Sequence, residues 1–209
     1  MAKPSIARLL RLLNQHYPDA RCSLNFSDSY QLLVATILSA QCTDKRVNQI
    51  TPAFFAQFPT PAAVVSASLD EIKAAIRSAG FFNTKAYNIQ EACRIIITQH
   101  EGNVPSDWES LLALPGVGRK TAHVIRGVWF RLPAMVVDTH VGRIVQRLGL
   151  TRETAPEKIE AALRLLLPEA SWTKFGHQII AHGRTICIAR KPRCPICPLA
   201  ALCQFAKSR

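Results

Sequence analysis

Four cysteines near the C-terminus carry the clearest chemical signal in the sequence. They follow the pattern Cys-x6-Cys-x2-Cys-x5-Cys and are Cys187, Cys194, Cys197 and Cys203. Four thiolates this close in the chain can converge on one metal centre. The spacings of six and five residues are wider than those of paired Cys-x2-Cys zinc ribbons. They therefore favour an iron-sulfur cube, which takes one thiolate per iron, and a single zinc ion remains the alternative.

A glycine-rich turn precedes a helix in the segment LPGVGRKTAHVI, residues 114–125. Backbone N–H groups around Gly116 and Gly118 can approach a phosphate oxygen closely, and the following helix presents its positive end. The turn lacks the four-residue gap of a nucleotide-binding P-loop. It therefore predicts contact with one backbone phosphate of a polymer rather than with a nucleoside triphosphate. An ordinary helix-to-helix turn capped by glycine is the alternative.

The overall charge agrees with a polyanionic partner. The 209 residues contain 26 lysines and arginines against 14 acidic residues, which gives a formal net charge of +12. This balance is typical of proteins that bind nucleic acid, although some ribosomal, membrane-surface and metabolic proteins share it. The apolar run at residues 32–40 is too short for a membrane span and is typical of a buried helix. Because no secretory signal is evident, we expect a reducing, cytoplasmic location.

The hydrophobic pattern predicts an all-α fold with short connections. Apolar residues recur at helical spacing in the segments 6–13, 68–80, 89–96 and 159–166. Ser68 and Glu71 form a capping-box pattern at the start of the second segment, and Gly80 is its predicted end. Only residues 134–138, with the sequence AMVVD, indicate an extended strand.

Two helix starts bear directly on the candidate chemistry. Ser106 and Glu109 form a second capping-box pattern, which predicts a short helix ahead of the glycine turn and hence a helix-hairpin-helix. Asp138 is a strong N-cap candidate for a helix with an apolar stripe at 141–148, and Gly149 is the predicted end of that helix.

Four motifs and Cys203 carry a resemblance that spans nearly the whole chain, from about residue 22 to Cys203. The motifs are LSAQCTD, LPGVGRKTA, VDTHVGRI and HGRTICIARKPRCPIC. In combination they resemble the endonuclease III branch of the helix-hairpin-helix (HhH-GPD) DNA glycosylase superfamily. The resemblance implies a bifunctional DNA glycosylase and abasic-site (AP) lyase of base excision repair. Such an enzyme removes oxidised pyrimidines of the thymine glycol type from duplex DNA. The resemblance also implies one 4Fe–4S cluster on the four cysteines.

The resemblance further implies two helical lobes with a DNA cleft between them. We expect a six-helix barrel domain at 23–133, with the helix-hairpin-helix near 107–126. We expect an iron-sulfur cluster domain formed by residues 1–22 and 134–209. In the family the cluster is structural for DNA binding and does not break bonds.

Lys120 matches the nucleophile of the family. An amine is nucleophilic only when neutral, and a place in the first turn of a helix disfavours the ammonium form. In such enzymes the amine attacks the anomeric carbon of an extruded nucleotide and releases the base. It forms a Schiff base from which the 3′ phosphate is eliminated. Asp138 matches the second catalytic group, which stabilises positive charge developing on the sugar. Without the resemblance, a solvated lysine in a phosphate-binding turn would be the preferred interpretation.

Further positions match DNA contacts of the family. Gln41 corresponds to the residue that fills the space left by the extruded base, and Phe81 to a wedge in the opposite strand. Phe81 departs from the familiar aliphatic residue there, and core packing is its alternative role. Cys42 departs from a familiar alanine. The other expected DNA contacts are Gly116, Gly118, Arg119, His140, Arg190, Lys191 and Arg193, and the expected base pocket is Asp44 and His140.

Two alternative functions remain open from the sequence. One is a glycosylase of the same superfamily that acts on mispaired adenine, uracil or an alkylated base. Several such relatives lack a lysine at the nucleophile position, so Lys120 counts against this alternative. The other is a non-catalytic, basic DNA-binding metalloprotein, against which Lys120 and Asp138 count together. We expect a monomer that binds damaged duplex DNA in the bacterial cytoplasm, associated with the nucleoid and not with a membrane.

Overall fold

A computed structural model describes residues 5–208 of the chain. This part contains α-helices and short 3-10 turns and no strand, which confirms the predicted all-α class. The helices are α1 (Ile6–His16), α2 (Ser29–Ser39), α3 (Asp44–Gln57), α4 (Pro61–Ser66), α5 (Leu69–Ala75), α6 (Phe82–Gln99), α7 (Trp108–Ala113), α8 (Arg119–Val128), α9 (Thr139–Leu148), α10 (Pro156–Leu166), α11 (Trp172–Thr185) and α12 (Gln204–Lys207). No helix within the described residues is long and apolar enough to cross a membrane.

The helices form two compact units. The internal unit is Ser23–Arg131, and the terminal unit combines the described residues up to Cys22 with those from Leu132 onward. In the internal unit α2 packs against α3, α6 and α8, and its residues 30 and 32–38 are buried. The apolar run at 32–40 therefore belongs to a buried helix, as its composition predicts.

The terminal unit has its own apolar core. It is built from α1 and α9–α11, and α9 and α1 both pack against α11. Fully buried side chains of this core include Leu9, Leu13, Val141, Phe175 and Ile179. Residues 134–138 contain no strand, so the expectation of a strand there is wrong. The segment has no partner strand within the described chain. Its residues 134–136 are buried instead, and the Thr173 hydroxyl of α11 donates to the Ala134 carbonyl oxygen at 3.3 Å.

Local capping explains where several helices begin and end. The capping box of Ser68 and Glu71 is present at the start of α5. The helix ends at Ala75 rather than near Gly80, because the chain turns so that Ile76 and Ala79 both reach the core. The predicted capping box at Ser106 is wrong. The N-cap of α7 is Asp107, whose Oδ1 accepts from the Ser110 N–H at 2.8 Å, and aspartate caps as well as serine does.

Close packing of α9 against α11 depends on Gly183. A Cβ atom at this position would lie 2.6 Å from His140 Nδ1, 2.9 Å from Ile144 Cδ1 and 3.1 Å from His140 Cβ. These atoms belong to packed side chains and leave no space for a methyl group. Gly176, earlier on the same helix, differs because a Cβ there would meet the Val136 carbonyl oxygen at an ordinary 3.6 Å.

Replacing Gly183 with alanine should lower the free energy of unfolding by about 1–3 kcal/mol, because the methyl group forces α9 away from α11. Gly176→Ala is the matched control, and it should be neutral or stabilise by up to about 1 kcal/mol through helix propensity. Urea unfolding followed by circular dichroism measures both. Equal stability of the two variants would contradict the packing argument.

Candidate functional site

The hairpin between α7 and α8 uses its two glycines for different reasons. Gly116 has φ of +80° and a Cβ there would lie 3.1 Å from Asn88 and 3.3 Å from Ile37 Cγ2. Both the backbone and the surrounding side chains therefore require glycine at this position. Gly118 is the N-cap of α8 with φ of −92°, and a Cβ there would meet nothing within 4 Å. Nothing inside the described protein explains a glycine at position 118.

Lys120 is the second residue of α8, and its side chain is exposed. Its neighbour Arg119 places its guanidinium carbon 5.0 Å from the ring centroid of Trp108. Trp108 in turn lies 4.5 Å from the His123 ring, so this stack joins the start of α7 to α8. The stack holds the hairpin, and with it the first turn of α8, in one geometry.

Gln41 and Phe81 share an uncommon backbone conformation. Both have positive φ, 52° and 58° respectively, although neither is glycine. Such a conformation costs about 1–3 kcal/mol per residue and persists only where the surrounding structure fixes it. Both side chains are exposed, and Phe81 is 66% exposed, so the alternative that Phe81 packs in the core is wrong. The Gln41 segment adjoins Gly80, where a Cβ would lie 3.9 Å from the Gln41 carbonyl oxygen.

Lys85 is a buried lysine that the sequence reasoning missed. It is 4% exposed, and its Nζ donates to the Leu38 carbonyl oxygen at 2.8 Å. Leu38 lies in the last turn of α2, where carbonyl groups lack helical partners. Burial lowers the pKa of Lys85, and the nearby Cys42 thiol opposes that shift. The signal was available, since Lys85 shares the buried stripe of α6 with Ile89.

Asp44 is the first residue of α3, directly after the N-cap Thr43, whose hydroxyl accepts from the Arg46 N–H at 3.2 Å. A carboxylate in the first turn of a helix is stabilised by the helix dipole. Asp44 is partly exposed in the internal unit. Its placement in a base pocket stays a prediction.

Asp138 caps the N-terminus of α9 in the terminal unit. Its Oδ1 accepts from the Val141 N–H at 2.8 Å, and the helix ends at Gly149 with φ of 80°. The predicted N-cap and helix end are both confirmed. The hydrogen bond fixes Oδ1 at the helix N-terminus. The side chain is nevertheless partly exposed, so the carboxylate remains accessible to solvent.

His140 is the second residue of α9 and faces Gly183 of α11. Arg143 Nη2 lies 3.2 Å from His140 Nδ1 and donates to the Cys187 carbonyl oxygen at 3.0 Å. Burial lowers the pKa of His140, the guanidinium groups of Arg143 and Arg184 lower it further, and Asp138 opposes the shift. A neutral imidazole in this place is held by packing between the two helices.

The four C-terminal cysteines line one cavity in the terminal unit. Arg147, His182 and Phe205 line the same cavity. Burial, together with the charges of the other three cysteines, raises the pKa of the Cys197 thiol to about 11, although a hydrogen bond with the Leu199 backbone opposes the shift. Such converging thiols become thiolates only when a cation compensates their charge, which is what iron supplies. Among the described residues, no three His, Cys, Asp or Glu side chains are placed to hold a single metal ion.

The loop between the first two cysteines is strongly basic. Arg190, Lys191 and Arg193 are all exposed, and the Arg193 N–H donates to the Ile186 carbonyl oxygen at 3.0 Å. This backbone bond closes the loop over residues 187–192. The structure therefore brings the four cysteines and the three basic side chains together in one unit, as the sequence predicts for a cluster with a basic loop.

Comparison with known protein families agrees with this arrangement. Residues 34–169 match the model of the HhH-GPD superfamily base excision DNA repair protein. Residues 187–203 match the iron-sulfur binding domain of endonuclease III. The chain therefore belongs to the HhH-GPD superfamily of base excision DNA repair proteins.

Curated and solved relatives within that superfamily carry the name endonuclease III. The protein from Synechocystis sp. is 50% identical over 207 residues, which span 99% of this chain and 94% of the relative. The Escherichia coli protein is 40% identical over 205 residues, or 98% and 97% of the two chains. A non-covalent endonuclease III–DNA complex aligns with a TM-score of 0.92 at 41% identity, covering 98% of this chain and 96% of that chain.

A trapped endonuclease III–DNA covalent intermediate aligns with a TM-score of 0.91 at 40% identity, covering 98% of both chains. These findings confirm the expectation of a DNA-binding base excision repair glycosylase and lyase. They also confirm one 4Fe–4S cluster as its cofactor, which sets the single-zinc alternative aside. The four cysteines would hold that cluster.

We expect the free energy of unfolding to fall as the pH drops below about 6.5, the ordinary histidine pKa. Burial lowers the folded-state pKa of His140 and His177, so in this range the unfolded chain binds more protons at these two residues than the folded chain does. His177→Gln should make the dependence on pH shallower. Urea unfolding at about pH 7.5 and about pH 5.5 measures the effect. Identical pH dependence in the variant and the parent would exclude a contribution of His177.

Proposed function

We propose that the chain excises oxidised pyrimidines of the thymine glycol type from duplex DNA and cleaves the resulting abasic site through Lys120. The observation that carries this proposal is the place of Lys120, exposed in the first turn of α8 directly after the hairpin. Its amine attacks the anomeric carbon of the extruded nucleotide, which releases the base and leaves a Schiff base. Removal of a proton from the sugar then expels the 3′ phosphate by β-elimination.

Asp138 supplies the second catalytic group in this proposal. As the base departs, positive charge develops on the sugar, and a carboxylate stabilises that charge electrostatically. The bond from the Val141 N–H to Oδ1 orients the Asp138 carboxylate before the substrate arrives. A carboxylate that is already oriented loses little conformational entropy in the transition state, so more of its interaction free energy with the developing charge lowers the barrier.

The hairpin binds one DNA phosphate in this proposal. The open space around Gly118 supports it, because a glycine there is unexplained by packing but allows an outside group to approach the backbone. Arg119 extends from the same turn and adds a positive charge near that phosphate. Arg190, Lys191 and Arg193 contact further phosphates from the terminal unit.

The proposed wedge residues are supported by their exposure. Gln41 fills the space left by the extruded nucleotide, and Phe81 stacks on the orphaned base of the other strand. A phenyl ring stacks on every base, so Phe81 alters the opposite-base preference without removing function. Asp44 and His140 border the base in this proposal. We further propose that the protein acts as a monomer in the bacterial cytoplasm, where it associates with the nucleoid.

Incubation with four duplexes tests the reaction and its substrate. The duplexes carry thymine glycol, an abasic site, uracil or mispaired adenine, each with and without borohydride. The protein should cleave, and be trapped by borohydride on, the first two. Lys120→Ala should lose trapping and lower cleavage more than about a thousandfold, because the variant has no amine for covalent attack.

Two further variants serve as controls for that experiment. Lys73→Ala changes a partly exposed lysine that pairs only weakly with the exposed Asp70, and it should keep full activity. Asp138→Asn keeps a good N-cap and should retain stability while base release falls about 100-fold or more. Undiminished trapping in Lys120→Ala would refute the proposed nucleophile. Cleavage confined to uracil or mispaired adenine would instead select the alternative base specificity.

Substitution of the two hairpin glycines separates folding from DNA binding. Gly118→Ser should fold normally, because serine is a good N-cap and the site is open. It should weaken binding to an abasic-site duplex about tenfold, or ~1.4 kcal/mol, by blocking the phosphate. Gly116→Ser should destabilise the fold instead, since its φ is positive and Asn88 lies close. Fluorescence anisotropy and urea unfolding measure the two effects, and unchanged affinity in Gly118→Ser argues against a phosphate at this turn.

A further inference from the structure

Arg147 is the residue that connects the cluster cavity to the basic loop. It lies in the last turn of α9. Its Nη1 donates to Cys187 Sγ at 3.3 Å and to the Ile188 carbonyl oxygen at 3.2 Å. Its Nη2 donates to the Ala189 carbonyl oxygen at 2.7 Å. One guanidinium therefore contacts both the first cysteine ligand and the first two residues of the loop that follows it.

The guanidinium of Arg147 is itself held in place. Its central carbon lies 4.7 Å from the ring centroid of Phe205, which lines the same cavity. A planar cation between an aromatic ring and a set of acceptors has little freedom to turn. The hydrogen bonds to Cys187, Ile188 and Ala189 are therefore made together rather than in alternation.

The contact with Cys187 has an electronic consequence once the cluster is bound. A guanidinium that donates to a ligand thiolate stabilises negative charge on that sulfur. The reduced cluster carries one more negative charge than the oxidised cluster, so it gains more from the bond. Hydrogen bonds to cluster sulfurs are a known determinant of reduction potential. Arg147 should accordingly raise the potential at which the cluster accepts an electron.

The contacts with Ile188 and Ala189 have a mechanical consequence. Arg190, Lys191 and Arg193 follow directly and repel one another, so their charges favour an open, mobile loop. Two charge-assisted bonds to backbone carbonyls at the start of the loop oppose this opening. Arg143 makes no such bond, since its acceptors are the carbonyl oxygens of Thr139, Gly183 and Cys187.

We propose that Arg147 is a positioning residue that couples the electron affinity of the 4Fe–4S cluster to the geometry of the DNA-contacting loop at 188–193. The same guanidinium sets the charge environment of Cys187 and fixes the start of the loop. Any change that displaces it alters the cluster and the loop together. The part of the proposal that concerns DNA rests on the proposed function of Arg190, Lys191 and Arg193.

The test compares Arg147→Met and Arg147→Lys with Arg164→Met. Arg164 is a matched control in the same unit, because its guanidinium carbon lies 4.7 Å from the Trp172 ring centroid and it pairs with the buried Glu160, while neither Arg164 nor Glu160 lines the cluster cavity. Absorbance near 400 nm and iron content select cluster-loaded protein. Voltammetry without DNA gives the potential, and limited trypsin digestion gives the opening of the loop at Arg190 and Arg193. Binding to an abasic-site duplex over a range of salt gives the phosphate contacts.

Arg147→Met should shift the potential to more negative values and speed cleavage in the loop by roughly tenfold, because the hydrogen bonds are lost. Its DNA affinity should fall and depend less steeply on salt. Arg147→Lys keeps the charge but not the planar fork. It should therefore shift the potential less than Arg147→Met does, and it should speed trypsin cleavage of the loop nearly as much as Arg147→Met does. This variant keeps the test valid where the methionine variant loads the cluster poorly. Arg164→Met should match the parent in every measurement.

Specific outcomes overturn the proposal. An unchanged potential in loaded Arg147 variants would exclude the electronic effect, and a shifted potential with unchanged trypsin cleavage would exclude the coupling. Both measurements are made without DNA, so they stand even where the proposed glycosylase function fails. A shifted potential and faster cleavage with unchanged salt dependence would remove the loop from the DNA interface and so overturn the DNA part of the proposal.

Discussion

The contact between α9 and α11 at Gly183 is the constraint on which the terminal unit depends. Because no side chain separates the two helices there, His140 and Ile144 pack directly against the α11 backbone. The helix so fixed spans ten residues, or about 15 Å. Asp138 caps one end of it, and Arg147 reaches the cysteine cavity from the other. The cavity, the basic loop and the proposed catalytic carboxylate therefore all contact one helix.

The hairpin glycines show how one short motif serves two separate requirements. Gly116 is needed by the protein itself, because its positive φ and the nearness of Asn88 exclude a side chain. At position 118, by contrast, neither the backbone conformation nor the neighbouring atoms require a glycine. Because no contact inside the protein explains a glycine at position 118, we infer that a partner approaches the backbone there. A DNA phosphate has the size and charge to do so. The stacking of Arg119 on Trp108 stabilises the conformation of the hairpin between α7 and α8.

The sequence predicted those features that depend on local chemistry. Asp138 as an N-cap, Gly149 as a helix end and the four converging cysteines each follow from residue type and spacing. Features decided by tertiary packing were missed. The end of α5 before Gly80 depends on what Ile76 packs against, and residues 134–138 lack the partner that a strand needs. Lys85 could have been found from its place in the buried stripe of α6. Its acceptor could not, because the Leu38 carbonyl is distant in the chain. Sequence alone does not specify the roles of individual site residues, since these depend on a bound substrate.

Gln41 and Phe81 carry a consequence for the thermodynamics of recognition. Their left-handed conformations are strained, and this strain is incurred when the chain folds rather than when a ligand arrives. Lys85 stabilises the segment that precedes Gln41, because its Nζ donates to the Leu38 carbonyl oxygen in the last turn of α2. Because the backbone of both residues is already fixed, association has to order only their side-chain rotamers. In the proposed function, where both side chains insert into a duplex, the backbone part of the entropic penalty is therefore incurred before binding, which leaves more of the interaction free energy for unstacking the damaged nucleotide.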